Sequence, residues 1–325
     1  MKVRSFVLLF FLLIKYFSAN AQQKSYQDTN YIYHFERTNI LELVSGINAT
    51  NFNFNGLKKD TSSFRLAANS NAYAGFNFNY KWISASYSFG IPGTLLDEKV
   101  RLKHTSASFR YNHRQWSFVP FYNFYNGLLL QNNEDHREFD PFRNMNYYDA
   151  GLKLFYFTNS STYSYRSGNS FREQQLKTAG SFILMAIPRW QKINWKDPNE
   201  ALVNDSLTYN LLSSDPQWFS LTLGGGYTHN FTFHNGKWIV APALIVGAGA
   251  LKELERNGYV QPVLNFQTWL NAGYNGYVFY SFISANWQST QTKLITKKLN
   301  GINRGISLTL GYRFKSYPKK IFKML

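Results

Sequence analysis

His104-Thr-Ser106 sets an imidazole and a hydroxyl two residues apart. Alternate residues of an extended strand share a face, so His104 could take the proton of Ser106 and release an oxygen nucleophile. A working triad also needs an acid to orient the histidine. Ala107 follows the serine, and the next strand-like run, 115–130, contains no Asp or Glu. Two groups of three make His104 and Ser106 a weak catalytic candidate, and the reading leans away from an enzyme. Glu134, Asp135, His136, Glu138 and Asp140 form a second cluster. Oxygen ligands at that density could hold Ca²⁺ or Mg²⁺. The spacing matches no calcium loop, and charge is ordinary in a solvated loop. Glu134, Asp135, Glu138 and Asp140 are therefore only a weak metal candidate, and no cofactor is expected. Gly224-Gly-Gly226 and Gly247-Ala-Gly249 have the composition of phosphate loops but sit in strand-like runs without the helix such a loop needs.

The elements that must position these groups repeat with a period of two. Ile306, Leu308, Leu310, Tyr312 and Phe314 alternate with Ser307, Thr309, Gly311 and Arg313. Phe219, Leu221, Leu223 and Tyr227 alternate with Ser220, Thr222, Gly224 and Thr228, and Leu264 and Leu270 with Asn265, Gln267 and Asn271. One face of each strand is apolar and the other small or polar. In a soluble sandwich the apolar face is the core; in a membrane barrel it meets lipid, and the polar face lines a wet lumen. The second reading fits better. The runs are longer than the usual ~5–6 residues. Their polar faces carry Ser, Thr, Gly, Asn and Gln. Tyr80, Trp82, Trp116, Tyr147, Trp218, Trp238, Tyr277, Trp287 and Tyr312 stand at strand ends, where an interfacial girdle belongs. The expected fold is all-β, an antiparallel transmembrane β-barrel of about 12 strands, with 10–14 admissible.

The 325 residues include 35 Lys+Arg, 18 Asp+Glu and no cysteine. Without cysteine there is no disulfide scaffold, thiolate metal site or acylated-cysteine anchor. Aromatics reach 18% while charged residues are only 16%, which argues against disorder. Lys2 and Arg4, an apolar stretch and Ala19-Asn20-Ala21 read as an export signal cleaved after Ala21. The expected organisation is a signal peptide at 1–21, a periplasmic segment at 22–38, an outer-membrane barrel at 39–315 and a basic tail at 316–325. Short links at Tyr80–Lys81, 112–114, 234–237 and 274–276 alternate with longer ones, placing both termini on the periplasmic side. Residues 159–177 break that rule, being long where a short turn is expected. Ser170 and Glu173 have capping-box spacing, so a short helix is expected there; an extra strand over 162–171 is the alternative.

With its export signal, the Tyr80-Lys81 turn, Gln174-Gln-Leu-Lys-Thr-Ala-Gly-Ser181 before an apolar strand, and the closing Leu310-Gly-Tyr-Arg-Phe314, nearly the whole mature chain resembles a family of uncharacterised outer-membrane barrels of Bacteroidetes-type bacteria. The resemblance implies the barrel fold and a Gram-negative outer membrane, and no activity. Outer-membrane lipid deacylases also use a His-x-Ser pair, but their serine is followed by Asn where this chain has Ala107.

Four charged residues fall on lumen faces by alternation: Glu42, Asp149, Lys153 and Arg313. Such groups serve as a salt-bridged plug or as a selectivity lining. The expected function is a narrow pore or small-solute transporter. A non-conducting structural, surface or lipid-binding barrel is the alternative, and a lipid hydrolase comes third. Basic residues are spread along the chain without a patch, so nucleic acid is not an expected partner. Membrane lipid, lipopolysaccharide and the outer-membrane assembly machinery are, with the barrel as a monomer.

Overall fold

The computed structural model describes residues 27–56, 63–69, 72–80, 83–97, 103–132, 140–196, 206–254, 260–293 and 297–315. The expected signal peptide and tail, with Glu134, Asp135 and Glu138, lie outside these residues, as do the side chains of His104 and Asp140. Eight long strands carry the wall: β2 (Asn39–Gly56), β8 (Trp116–Asn132), β9 (Asp140–Phe157), β11 (Ala179–Trp195), β12 (Gln217–Phe233), β13 (Trp238–Glu253), β14 (Gln261–Asn275) and β15 (Phe279–Lys293). β16 (Lys297–Phe314) pairs with β15 on one side and with β2 on the other, from Lys297↔Gly56 to Phe314↔Asn39. That last pairing closes the sheet.

The closed ring has ten strands, the tenth being β3 (Phe64–Ala67), which bridges β2 and β8. Four further strands hang below β3: β4 (Ala72–Tyr80) on β2, β5 (Ile83–Gly90) on β4, and β6 (Lys103–Ser108) and β7 (Tyr111–His113) on β8. The expected twelve continuous strands are thus replaced by ten and four. Alternation in the sequence also predicts a strand over 68–80; it is found as β4, from Ala72, and Asn69 stands outside it. Its Oδ1 accepts from the Leu96 and Asp97 amides at 2.8 and 3.1 Å, and its Nδ2 donates to the Asp97 carbonyl. An Asn side chain that takes backbone partners competes with the sheet ladder. Among the described residues β5 and β6 are not paired with each other.

Alternation places the two faces as anticipated. Leu43, Phe182, Leu264 and Ile306 point outward and are 60%, 66%, 59% and 62% exposed, while Thr222, Asn265, Gln267, Asn271 and Thr309 are buried inside. The turn after β12 is tight because His234, Asn235 and Gly236 all take positive φ, the conformation that Asn-Gly hairpins favour. Gly224-Gly-Gly226 and Gly247-Ala-Gly249 sit in β12 and β13, with Gly224 opposite Gly247; they form no phosphate loop. Two members of the expected girdle are misplaced. Tyr147 and Trp218 are each 1% exposed and face the interior. They join Phe52, Phe54, Leu66, Leu130 and Trp195 in an apolar core at the mouth opposite the chain ends. Helix α2 (Ser206–Ser213) contributes Leu212 and Tyr209 to it.

The mouth that carries the chain ends is also filled. Here 159–177 forms helix α1 (Tyr165–Ser170) and strand β10 (Glu173–Gln175), which pairs with β1 (Ile32–His34). The helix is real but the expected capping box is not. Ser170 is its last residue. Ser164 is the N-cap, its Oγ accepting from the Ser167 amide at 3.0 Å, and Phe171 closes the C-terminus at φ 54°. Tyr163, Tyr165 and Phe171 are buried, Tyr165 against Phe157 and Phe171 stacked on Phe282 with ring centroids 4.3 Å apart. The two filled mouths leave a polar space between them.

Candidate functional site

That space is a chamber of two lobes, about 280 and 370 Å³, which share Arg110, Val119, Lys153 and Gln288 as walls. A polar row crosses it from strand to strand. Ser106, Asn123 and Asp149 are register partners on β6, β8 and β9. Ser106 Oγ donates to Asn123 Oδ1 at 2.9 Å, and Asn123 Nδ2 to Asp149 Oδ2 at 3.3 Å. Arg189 of β11 completes the row with a two-point ion pair, Nε to Oδ1 at 2.6 Å and its second nitrogen to Oδ2 at 3.0 Å. Planar, two-point pairing is the strongest geometry open to a guanidinium and a carboxylate. Lys153 projects into the same chamber, its Nζ 5.5 Å from the centre of the Phe121 ring.

Glu42 and Arg313 lie nearer the mouth that holds the plug of β1, α1 and β10. Glu42 accepts from the Tyr280 hydroxyl at 2.5 Å and from Asn77 Nδ2 at 2.9 Å. Gly311 makes this possible. It stands in register between Tyr280 on β15 and Glu42 on β2, where a Cβ would overlap the Tyr280 ring. Arg313, 1% exposed, donates to the carbonyls of Gly276 and Phe171 and, at 2.7 Å, to Asn275 Oδ1. Its guanidinium also lies 3.9 Å from the Phe35 ring and 4.1 Å from the Tyr280 ring. One wall residue therefore grips both arms of the plug. Asn230 Nδ2 donates to the Ser164 carbonyl and Asn275 Nδ2 to the Glu173 carbonyl, each at 2.8 Å.

Within the plug, Glu173 is 3% exposed and ringed by donors. Ser164 Oγ donates to it at 2.5 Å, with His34 Nδ1 at 3.3 Å and Arg166 at 3.1 Å. Burial alone would raise the Glu173 carboxyl; His34, Arg166 and Ser164 together hold it below its ordinary value. The hydrogen bond to Glu173 raises the His34 imidazole, against the opposing pull of its partial burial.

The four expected lumen charges separate into two pairs. Asp149 and Lys153 belong to the chamber, Glu42 and Arg313 to the seat of the plug. Ser106 donates to an asparagine, and the side chain of His104 lies outside the described residues. No group of three His, Cys, Asp or Glu residues with metal-holding geometry occurs among the described residues. Sequence reasoning missed Arg189, because both faces of β11 are apolar around it and alternation gives no contrast. Arg110, which lies between two short strands, falls by alternation on the same lumen stripe as His104, Ser106 and Ser108, and it does line the chamber.

The architecture is that of a closed antiparallel β-barrel with an apolar outer belt and a plugged, polar interior. The profile of the family described as domain of unknown function DUF4421 matches residues 26–314, and the chain belongs to that family. No curated protein matches it significantly. Among solved structures it is similar to the outer membrane protease OmpT from Escherichia coli, at 9% identity and TM-score 0.35, covering 86% of this chain and 98% of that one. The beta domain of the Bordetella autotransporter BrkA gives 9% identity and TM-score 0.45 over 84% and 99%. An outer membrane channel from Pseudomonas putida F1 gives 8% and 0.29 over 85% and 96%. Likeness at this level carries no activity across.

Proposed function

We propose that the protein is an outer-membrane barrel of a Gram-negative bacterium that passes small polar solutes through a narrow, normally closed lumen. The apolar belt supports the membrane setting, since soluble monomers rarely expose a continuous apolar surface of this extent. By the rule for such barrels, the mouth with the chain ends and tight turns faces the periplasm. The observation that carries the solute reading is the chamber itself. It is a charged, partly polar space lying between the plug of β1, α1 and β10 at one mouth and, at the other, an apolar core of wall side chains joined by α2. A barrel of ten strands is too narrow for a general porin, so selectivity would reside in the lining.

The runner-up, a non-conducting barrel, draws on the apolar core at the far mouth, which is packed as a structural element would be. Planar-bilayer recording separates the two. The full mature chain should be closed at rest. A variant in which 163–175 and 206–213 are replaced by Gly-Ser linkers and Phe54, Leu66, Tyr147 and Trp218 of the far core by serine should show small, discrete conductance steps. If that variant keeps the migration of a folded barrel and yet passes no current, the conduit reading is wrong.

A further inference from the structure

We propose that the chamber around Lys153 binds a small hydroxylated anion, a sugar bearing a carboxylate or a phosphate. This rests on the solute reading and names the class of solute. Four charged side chains wall the chamber: Arg110, Asp149, Lys153 and Arg189. Asp149 is fully engaged by Arg189. Lys153 and Arg110 then remain, and neither makes an ion pair among the described residues. Two unmatched cations face the same chamber, Lys153 partly buried and Arg110 exposed at its rim. A charge partly withdrawn from water without a partner is costly, and an anion held between the two offsets that cost at Lys153. The Phe121 ring orients the Lys153 ammonium but does not neutralise it.

The rest of the wall narrows the class. Ser108, Gln288, Thr290 and Asn303 offer hydroxyls and amides, groups that both donate and accept and so suit a ring of hydroxyls. Phe121 and Tyr125 add aromatic surface on which the C–H face of a sugar can rest. The larger lobe lies within the ~300–1,000 Å³ range of small-molecule sites and the smaller just below it. A metal cation would be repelled by the net positive charge. Of the apolar residues of the wall, Phe52, Trp218, Leu251, Val263 and Leu299 belong to the core at the far mouth.

The test is equilibrium dialysis of the mature protein in nanodiscs, run long enough for slow entry, with labelled glucuronate, glucose 6-phosphate and glucose. At least one of the two anions should bind, and glucose at least tenfold more weakly; which anion binds tighter separates carboxylate from phosphate. Lys153→Gln should weaken anion binding at least tenfold, and Lys153→Arg should restore most of it. If Lys153→Gln does not fold, Arg110→Gln decides, with the same loss expected. Binding of neither anion, equal binding of glucose, or unchanged affinity in a folded charge-removed variant would overturn the proposal. Binding without conductance in the linker variant would keep the site and remove the conduit; conductance without binding would do the reverse.

Discussion

Glu173 shows how one side chain can hold a plug. Its carboxylate is buried in a hydrophilic nest of Ser164, Arg166 and His34, and such a group is tolerable only while its partners stay charged or donating. The pH dependence follows from the two shifts. The raised His34 contributes fully below its ordinary value of 6.5 and its contribution is lost as pH rises through the raised value. The lowered Glu173 contributes above its ordinary value of 4.5, and that is lost as pH falls through the lowered one. The plug should therefore be held best in the mildly acidic range between them. His34 is about half exposed, so solvent screens the pair to about 1 kcal/mol at most, roughly a fivefold change in opening. Hydrogen exchange of the amides of 163–175, corrected for intrinsic rates, should show up to that loss of protection between pH 6 and 8.5. His34→Gln should flatten the profile; an identical drop in that variant would remove His34 from the account.

At the scale of the element, the closing strand β16 states the register most plainly. Leu310 is 50% exposed on the outer face, and its neighbour Thr309 is 5% exposed inside. A one-residue slip would exchange them. Leu310→Asp should therefore impair assembly far more than Thr309→Asp. A basic side chain against lipid at mid-depth costs about 2–4 kcal/mol, and an acid less. The yield of folded, membrane-inserted protein measures the difference, and equal yields from the two variants would contradict the register. The stretch between β3 and β4 teaches the opposite lesson. Alternation carries the second strand back to 68, yet the side chain of Asn69 bonds the backbone of the 91–97 loop instead.

For the molecule as a whole, the ring closed by β16 and β2 leaves no exposed edge there, which is the condition for placing a sheet in lipid. We expect the protein to sediment with outer membrane and to migrate faster on unheated than on boiled gels, as a barrel that resists detergent does. Recovery in the soluble fraction after mild osmotic shock would refute the membrane reading. The absence of native cysteine makes the chain well suited to engineered disulfides, because no native thiol competes with an introduced pair.

What the amino-acid order determined alone was the period-two wall and its polarity. Leu308 and Leu310 against Ser307 and Thr309 is a local pattern, readable because strand side chains must alternate. The charges at Glu42, Asp149, Lys153 and Arg313 could be placed on the inner face for the same reason. Their roles could not, since a role depends on partners far away in the chain. Asp149 meets Arg189 forty residues on, and Arg313 meets the carbonyl of Phe171, 142 residues away. The plug was likewise hidden. The capping signal at Ser170 was misleading, because Ser164 gains its Glu173 partner only once β10 has folded back beside α1. The count of wall strands, the two filled mouths and the cationic chamber between them came from packing across strands, which no spacing within a single strand encodes.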